Sequence, residues 1–142
     1  MNLKILSFAG KTIEIANAIS LTIDTKMGQI TVLNSHSPLI TALKPCVAYI
    51  KYFDENNMPK REDFAIGGGI LEVAGTNVKV LADMLMDIDE VSADKATDAI
   101  KKAEELMAKY KDSTDKIDME KFVEAEEMLM KSIAQLKLSE LK

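Results

Sequence analysis

Tryptophan is absent from the 142 residues, and the chain has a single cysteine and a single histidine. One cysteine cannot form an internal disulfide or a cysteine-based metal cluster, so we expect Cys46 to be an inert, small hydrophobic residue in a reducing cytoplasm. His36 has no second histidine and no nearby carboxylate in the sequence, so metal binding has little support. No run approaches the roughly 20 apolar residues of a membrane span, and the N-terminus lacks the long apolar segment of a secretory signal.

Catalytic motifs are missing as well. Gly67-Gly68-Gly69 is the one glycine run, but no Gly-Lys-Ser/Thr follows it. A bulge or tight turn between strands is therefore predicted there, and a phosphate-binding loop is not. No Ser–His–Asp arrangement stands out, and the carboxylates fall mainly on predicted helix faces and loops. We expect a non-catalytic protein with no metal and no cofactor.

Charge is unevenly distributed along the chain, whose net charge is −5. Residues 1–83 carry 8 basic and 8 acidic groups, whereas residues 84–142 carry 10 basic and 15 acidic groups. Neither part has the clustered Lys and Arg that non-specific binding to nucleic acid requires. The change in charge indicates a domain boundary, which we place between residues 1–84 and residues 85–142.

Short stretches of alternating apolar and polar residues predict about ten strands before residue 84. The clearest are residues 3–6, 12–15, 19–23, 29–33, 39–43, 47–53, 62–66, 70–73 and 77–81. Aromatic residues are only 5% of the chain, so Val, Ile, Leu and Met must form the core. Strands at this spacing predict an antiparallel β-sandwich or flattened barrel.

From about Asp89 the apolar period changes to that of a helix. One predicted helix has its stripe at Ala96, Ala99/Ile100, Ala103, Met107 and Tyr110, and a second has its stripe at Phe122, Ala125/Glu126, Leu129, Ile133 and Leu136. Either Asp89 or Ser92 caps the first helix, and Asp118 is predicted to cap the second. The fold class is therefore α+β, an N-terminal sandwich followed by an antiparallel two-helix hairpin.

The hairpin has more apolar surface than one seam between its helices can bury. Alanines on the first helix bury little apolar area. Since each Å² of buried apolar surface contributes about 25 cal/mol, the contact between the helices stabilises the hairpin only modestly. Met128, Met130, Leu138 and Leu141 lie partly off the inner stripe. The hairpin therefore needs another partner, either the sandwich or another protein, and both a permanently docked hairpin and a detachable arm fit the pattern.

The stretch from Gly28 to Leu43 reads as strand, polar turn and strand. Turn-forming residues occupy positions 34–37, and Pro38 fixes the backbone where the next extended run begins. Such a turn is either a connector or an exposed recognition loop held by two strands.

Three blocks of sequence resemble the epsilon subunits of F-type ATP synthases, called delta in mitochondrial naming. Residues 28–45 (GQITVLNSHSPLITALKP) resemble the family signature GELGILPGHAPLLTALKPG. Residues 67–83 resemble its SGGFLEV…VTVLAD block, and residues 131–141 resemble its C-terminal helix. The matches run in order and reach almost to the last residue.

The resemblance implies a rotor subunit of the central stalk, a peripheral part of the complex on the cytoplasmic face of the inner membrane. Its sandwich would bind the gamma subunit and the c-ring, coupling rotation driven by protons or sodium ions to ATP synthesis. The residues that correspond to the ring-contacting tip are Gln29, Asn34, Ser35 and His36. Gln29 stands where many members carry glutamate, and Asn34-Ser35 replaces the usual Pro-Gly.

The resemblance also implies regulation by the hairpin. In bacterial members the hairpin extends along gamma towards the alpha and beta subunits and hinders ATP hydrolysis. Extension would bring Lys131 and Lys137 towards acidic segments of the beta subunit.

Some members bind ATP at the folded hairpin. The matching positions here are Ile88, Asp89 and Ala93, but the family's arginines are replaced by Ser92, Lys131 and Gln135. Losing planar, bidentate arginines weakens triphosphate binding, so we expect weak or no ATP binding.

Without these motifs, the same physical features suit a free-standing ligand-binding β-domain with a helical dimerisation tail. The two interpretations differ in a simple observable. A rotor subunit co-purifies with a large ATPase complex at one copy, whereas a ligand-binding module forms a small symmetric oligomer.

Overall fold

The structure, a computed structural model, describes residues 1–142 as ten strands followed by two helices. The strands are β1 (Asn2–Ser7), β2 (Thr12–Ile15), β3 (Ala18–Thr25), β4 (Gly28–Leu33), β5 (Leu39–Leu43), β6 (Cys46–Phe53), β7 (Pro59–Ile66), β8 (Gly69–Ala74), β9 (Asn77–Ala82) and β10 (Leu85–Asp87). The helices are α1 (Ala93–Tyr110) and α2 (Lys116–Glu140). The predicted fold class, a sandwich followed by a helical hairpin, is confirmed.

The strands form one curled sheet in the order β10-β7-β6-β3-β5-β8-β9-β1-β2, with β4 paired to β3. Strands β3 and β5 share a single residue pair, Thr25 opposite Leu43, so the sheet divides there into two five-stranded halves. One pair departs from the antiparallel prediction, because β1 and β9 run parallel. These two strands lie far apart in the sequence, so no hairpin turn dictates their relative direction.

Alternate residues of the strands point into one core of 18 buried residues. Its largest fully buried side chains include Ile5, Leu21, Ile23 and Ile50. Cys46 lies in this core, and burial raises the pKa of its thiol to about 11, which keeps it protonated near neutral pH. The expectation of an inert cysteine is confirmed.

The sheet extends slightly beyond the boundary predicted after residue 84. Leu85 and Asp87 pair with Ile66 and Phe64 of β7, so β10 belongs to the sandwich. A three-residue strand is too short to show a period in the sequence. The segment that joins the sandwich to the hairpin is therefore residues 88–92, which we call the linker.

Ser92 and Asp115 are the N-cap residues of the two helices. Ser92 occupies the N-cap position of α1, although its side chain makes no capping hydrogen bond. The predicted cap of α2 at Asp118 is wrong, because the Asp115 carboxylate accepts a 3.0 Å hydrogen bond from the Ile117 amide and caps the helix instead. Asp118 lies in the first turn, where it accepts a 2.8 Å hydrogen bond from Ser113 Oγ.

Small residues form the contact between the two helices. Ala96 and Ala103 of α1 and Ala125 of α2 are buried, as the predicted close approach of the helices requires. The assignment of Ile133 to the inner stripe is wrong, because its side chain is 37% exposed. Leu138, predicted partly off the stripe and in need of another partner, is fully buried. Leu138 is buried because it packs with Val47, Ala65 and Val91 where the hairpin docks on the sandwich.

A charged cluster fixes the start of the linker to the opposite edge of the sheet. Lys11, between β1 and β2, donates to Asp87 Oδ2 at 3.1 Å and to Glu90 Oε2 at 2.6 Å. Burial alone would lower the pKa of Lys11, but the hydrogen bonds to Glu90 and Asp87 outweigh it and raise the pKa. Burial alone would raise the pKa of Asp87, but the bond from Lys11 lowers it, and the same donor lowers the pKa of Glu90.

These pKa shifts predict a pH dependence of stability at both extremes. Asp87 and Glu90 have lowered pKa values in the folded protein. Their contribution to the unfolding free energy is therefore complete above their unfolded pKa values of about 4, and it is lost as the pH falls through their folded pKa values. Lys11 has a raised pKa, so its contribution is present below its unfolded value of about 10.4 and is lost as the pH rises through the folded one. Urea unfolding should show a flatter dependence of the unfolding free energy on pH for Lys11→Met, and parallel curves would contradict this.

Candidate functional site

The tip of the sandwich is the turn at residues 34–38, between β4 and β5. The amide of His36 donates to the carbonyl of Leu33 at 3.2 Å, which closes a four-residue turn. Ser35 has φ +65°, in the left-handed region. This conformation at the third residue is typical of a type II turn, and a Pro-Gly pair would suit the same two central positions.

The polar groups of the tip face outward. Asn34 and Ser35 are exposed and His36 is partly exposed. His36 Nδ1 lies 2.7 Å from the carbonyl oxygen of Ser37, and because a carbonyl only accepts, Nδ1 carries the proton. This bond orients the ring and leaves Nε2 available to a partner. The structure therefore brings three of the four predicted ring-contacting residues together on one exposed turn.

Two apolar side chains beside the tip were not predicted as part of the site. Leu33 is 56% exposed and Ile40 is 74% exposed, one on each strand that holds the turn. Exposed apolar residues next to oriented polar groups are typical of protein interaction surfaces. The signal was present in β5, because alternation puts Ile40 on the face opposite to the buried Leu43.

The left-handed backbone at Ser35 leads to a prediction about stability. A non-glycine residue in this region costs about 1–2 kcal/mol, and glycine avoids that cost but loses more entropy on folding. We expect Ser35→Gly to raise the unfolding free energy by about 0.5–1 kcal/mol in urea titrations. Ser37→Gly is the matched control, since Ser37 has no positive φ, and it should be neutral or destabilising. Equal effects of the two substitutions would contradict the role of backbone strain.

Gln29, the fourth predicted contact, does not lie at the tip. It lies on β4, five residues before Asn34, and five residues of extended strand span about 16 Å. Its side-chain amide donates to Asp24 Oδ1 at 2.9 Å. With Tyr49 and Lys137 it lines a cavity of about 110 Å³ where α2 meets the sandwich. The structure thus places Gln29 at the margin of the docked hairpin.

The hairpin docks on the sandwich through the C-terminal part of α2. The Gln135 amide donates to the Met84 sulfur at 3.0 Å. A Cβ atom on Gly67 would lie 2.7 Å from Met84 Cβ and 3.2 Å from Lys131 Cε, so glycine at this position makes room for Met84 and lets the Lys131 side chain lie close to the sandwich. Lys131 is therefore partly covered in the docked hairpin, whereas Lys137, one of the cavity residues described above, is exposed.

The predicted ATP positions are only partly brought together. Ile88 and Asp89 line a cleft of about 660 Å³ with Arg61 and Leu141, but Ala93, Lys131 and Gln135 do not line it.

The cleft is predominantly acidic, since Glu62, Asp63, Asp87 and Asp89 all line it. Arg61 is the one arginine in the chain and is already engaged, because its Nε donates to Asp63 at 2.7 Å and its guanidinium lies 4.7 Å from the centre of the Tyr49 ring. A triphosphate would meet net negative charge there. No cluster of three or more His, Cys, Asp or Glu side chains is arranged to hold a metal ion.

Comparison with known proteins agrees with this architecture. Residues 1–87, which end with β10, match the family model described as "ATP synthase, Delta/Epsilon chain, beta-sandwich domain". The chain is also 34% identical over 134 residues to ATP synthase epsilon chain 2 of Photobacterium profundum, a match that covers 94% of this chain and 81% of that protein. Neither helix is long and apolar enough to cross a membrane.

Solved structures share the fold. A chain in the Euglena gracilis mitochondrial ATP synthase (OSCP/F1/c-ring in rotational state 1) aligns with TM-score 0.69 and 20% identity, covering 99% of this chain and 80% of that one. A chain in the Tetrahymena thermophila mitochondrial ATP synthase (central stalk/c-ring) aligns with TM-score 0.54 and 19% identity, covering 67% and 72%. The matches to the family model and to the Photobacterium profundum protein show that this chain belongs to the delta/epsilon family of ATP synthase, as an epsilon subunit of the F-type enzyme.

Proposed function

We propose that the sandwich is a non-catalytic rotor part, which binds the gamma subunit and the c-ring and transmits rotation during ATP synthesis. The observation that carries this proposal is the exposed turn of Asn34, Ser35 and His36, held by two strands of a well-packed core. A close-packed sandwich transmits force with little deformation. The neighbouring Leu33 and Ile40 supply apolar contact area for a ring of helices. The aligned chains come from assemblies described as containing a c-ring and a central stalk, which supports these partners.

In this proposal the subunit is a peripheral component on the cytoplasmic face of the inner membrane. The c-ring is the membrane-embedded partner, and it carries either protons or sodium ions. Gln29 contacts a partner separately from the tip, since about 16 Å of strand lies between them. A neutral amide at that position gives a hydrogen-bonded contact where a glutamate would give a charged one.

We further propose that the hairpin is an arm that leaves the sandwich and inhibits ATP hydrolysis. Only the C-terminal part of α2 is fixed to the sandwich, by a small apolar cluster around Leu138 and by the bond from Gln135 to Met84. Release would uncover Lys131 and would let Lys131 and Lys137 face acidic segments of the beta subunit as the arm extends between the alpha and beta subunits. A difference of a few kcal/mol between docked and extended arms suffices for such a switch.

ATP is not proposed as an effective ligand of the docked hairpin. The predicted positions Ile88 and Asp89 line an acidic cleft, and no free arginine is present to grip a phosphate. Titration calorimetry of the isolated subunit should detect no micromolar binding of ATP. A micromolar dissociation constant would overturn this part of the proposal.

Reconstitution into an ATP synthase tests the function. The full chain should co-purify with the complex at one copy, and a chain ending at residue 88 should do so as well, because the tip and both halves of the sheet remain. Removing residues 89–142 should raise the ATPase rate without uncoupling it from ion pumping. A chain that forms a small symmetric oligomer and never joins the complex would disprove the rotor role, and an unchanged ATPase rate would disprove the inhibitory arm.

A further inference from the structure

Lys11 is held in position before it reaches the linker. Its amide donates to Ser7 Oγ at 3.0 Å, and its carbonyl accepts from the Ser7 amide at 2.9 Å. Ser7 is itself buried. Both ends of this short loop are therefore fixed, and the lysine side chain loses less entropy on pairing than a freely moving one would.

The acidic partners of Lys11 are also organised by the backbone. Asp87 Oδ1 accepts hydrogen bonds from the amides of Asp89 and Glu90 at 3.1 and 3.2 Å. Glu90 Oε2, which pairs with Lys11, also accepts from the amide of Asp87 at 3.0 Å. Residues 87–90 thus form a tight acidic turn with one lysine at its centre. Networks of this kind exceed the small contribution of an isolated surface pair.

A second lysine holds the other end of the linker. Lys142 Nζ donates to the carbonyl of Val91 at 2.7 Å, and Val91 is buried beside Leu138. The linker therefore has a charged attachment to the sandwich on one side and an attachment to the end of α2 on the other.

We propose that Lys11, Asp87 and Glu90 form an electrostatic clasp that sets how readily the linker and α1 separate from the sandwich. The clasp connects β1–β2 at one sheet edge to β10 at the other, directly before the point where the chain leaves the sheet. Its strength falls as salt screens the charges, so the docked hairpin responds to ionic strength. That this response adjusts the inhibition of hydrolysis rests on the proposed function, whereas the clasp itself does not.

Hydrogen–deuterium exchange on the isolated full chain tests the clasp. Lys11→Met keeps the length of the side chain and removes its charge. It should speed exchange of residues 88–110 about fivefold, while the amides of the sandwich core stay unchanged. In the unmodified chain, raising NaCl from about 0.05 M to about 0.5 M should have the same local effect, and in Lys11→Met salt should add little.

Two further variants serve as controls. Lys4→Met removes the 3.2 Å pair with Glu14 on the outside of the sandwich and should leave residues 88–110 unchanged. In a Glu90→Gln background, Lys11→Met should have a smaller effect, because its nearer partner is already neutral.

Three results would overturn the clasp: equal effects of Lys4→Met and Lys11→Met, faster exchange confined to residues 8–15, or uniformly faster exchange throughout. Because no synthase is present in this measurement, its outcome is independent of whether the rotor assignment holds. A clasp without any change in the ATPase rate of the assembled enzyme would count against the inhibitory arm alone.

Discussion

Replacing Gly69 with alanine is expected to remove much of the stability of the sandwich. Gly69 has φ +137°, and a Cβ atom there would lie 1.8 Å from the carbonyl oxygen of Leu81 and 3.1 Å from Cα of Ala82. Both neighbours are backbone atoms of β9, which pairs with β8 at this position, so neither can rotate away. Overpacking and backbone strain together give a loss of about 3–5 kcal/mol, measured by urea unfolding. Since domains are stable by about 5–15 kcal/mol, the variant would unfold at a much lower urea concentration.

Gly10→Ala is the matched control for this prediction. Gly10 also has a positive φ, +93°, but nothing lies within 4 Å of the position of its Cβ. Gly10→Ala should therefore lower the unfolding free energy only by the cost of the left-handed backbone conformation, about 1–2 kcal/mol. Losses of similar size in the two variants would show that the close approach of β8 to β9 is not the cause.

The tip shows which parts of a site a sequence can reveal. Turn-forming residues between two alternating stretches predicted an exposed turn, because turn chemistry is local. The separation of Gln29 from His36 follows from the length of β4, and it too could have been counted from the sequence. The position of Gln29 at the margin of the docked hairpin could not be predicted, because it depends on where a helix about 100 residues later docks.

The hairpin shows more clearly which buried residues the sequence pattern cannot predict. A period of 3.6 residues identifies the face of a helix that packs on one partner, and it correctly placed Ala96, Ala103 and Ala125. Helix α2 packs on two partners, so its second buried face, with Leu138, does not follow the same stripe. The clasp could not be predicted from the sequence either, because Lys11 lies 76 and 79 positions before its partners Asp87 and Glu90.

Leu138→Ala is expected to release the hairpin while the sandwich stays folded. Leu138 is fully buried with Val47, Ala65 and Val91, and replacing a buried leucine with alanine costs about 2–5 kcal/mol. The core of 18 residues does not include Leu138, so the cost falls on docking. A loss of about 3 kcal/mol shifts the docking equilibrium by roughly a hundredfold. Limited trypsin digestion should cleave the helices of the variant quickly and leave a resistant fragment ending at Lys95, the first lysine after the sandwich.

The ATPase rate of the assembled enzyme extends this test to function. If the released arm inhibits, Leu138→Ala should lower the rate of ATP hydrolysis, the opposite of deleting the arm. Ile133→Ala is the control, because this residue of α2 is 37% exposed and loses far less packing on truncation. If the sandwich and the hairpin of Leu138→Ala lose trypsin resistance together, the two parts form one cooperative unit and the hairpin is not a detachable arm. Rapid cleavage of the hairpin with an unchanged ATPase rate would show instead that release by itself does not inhibit.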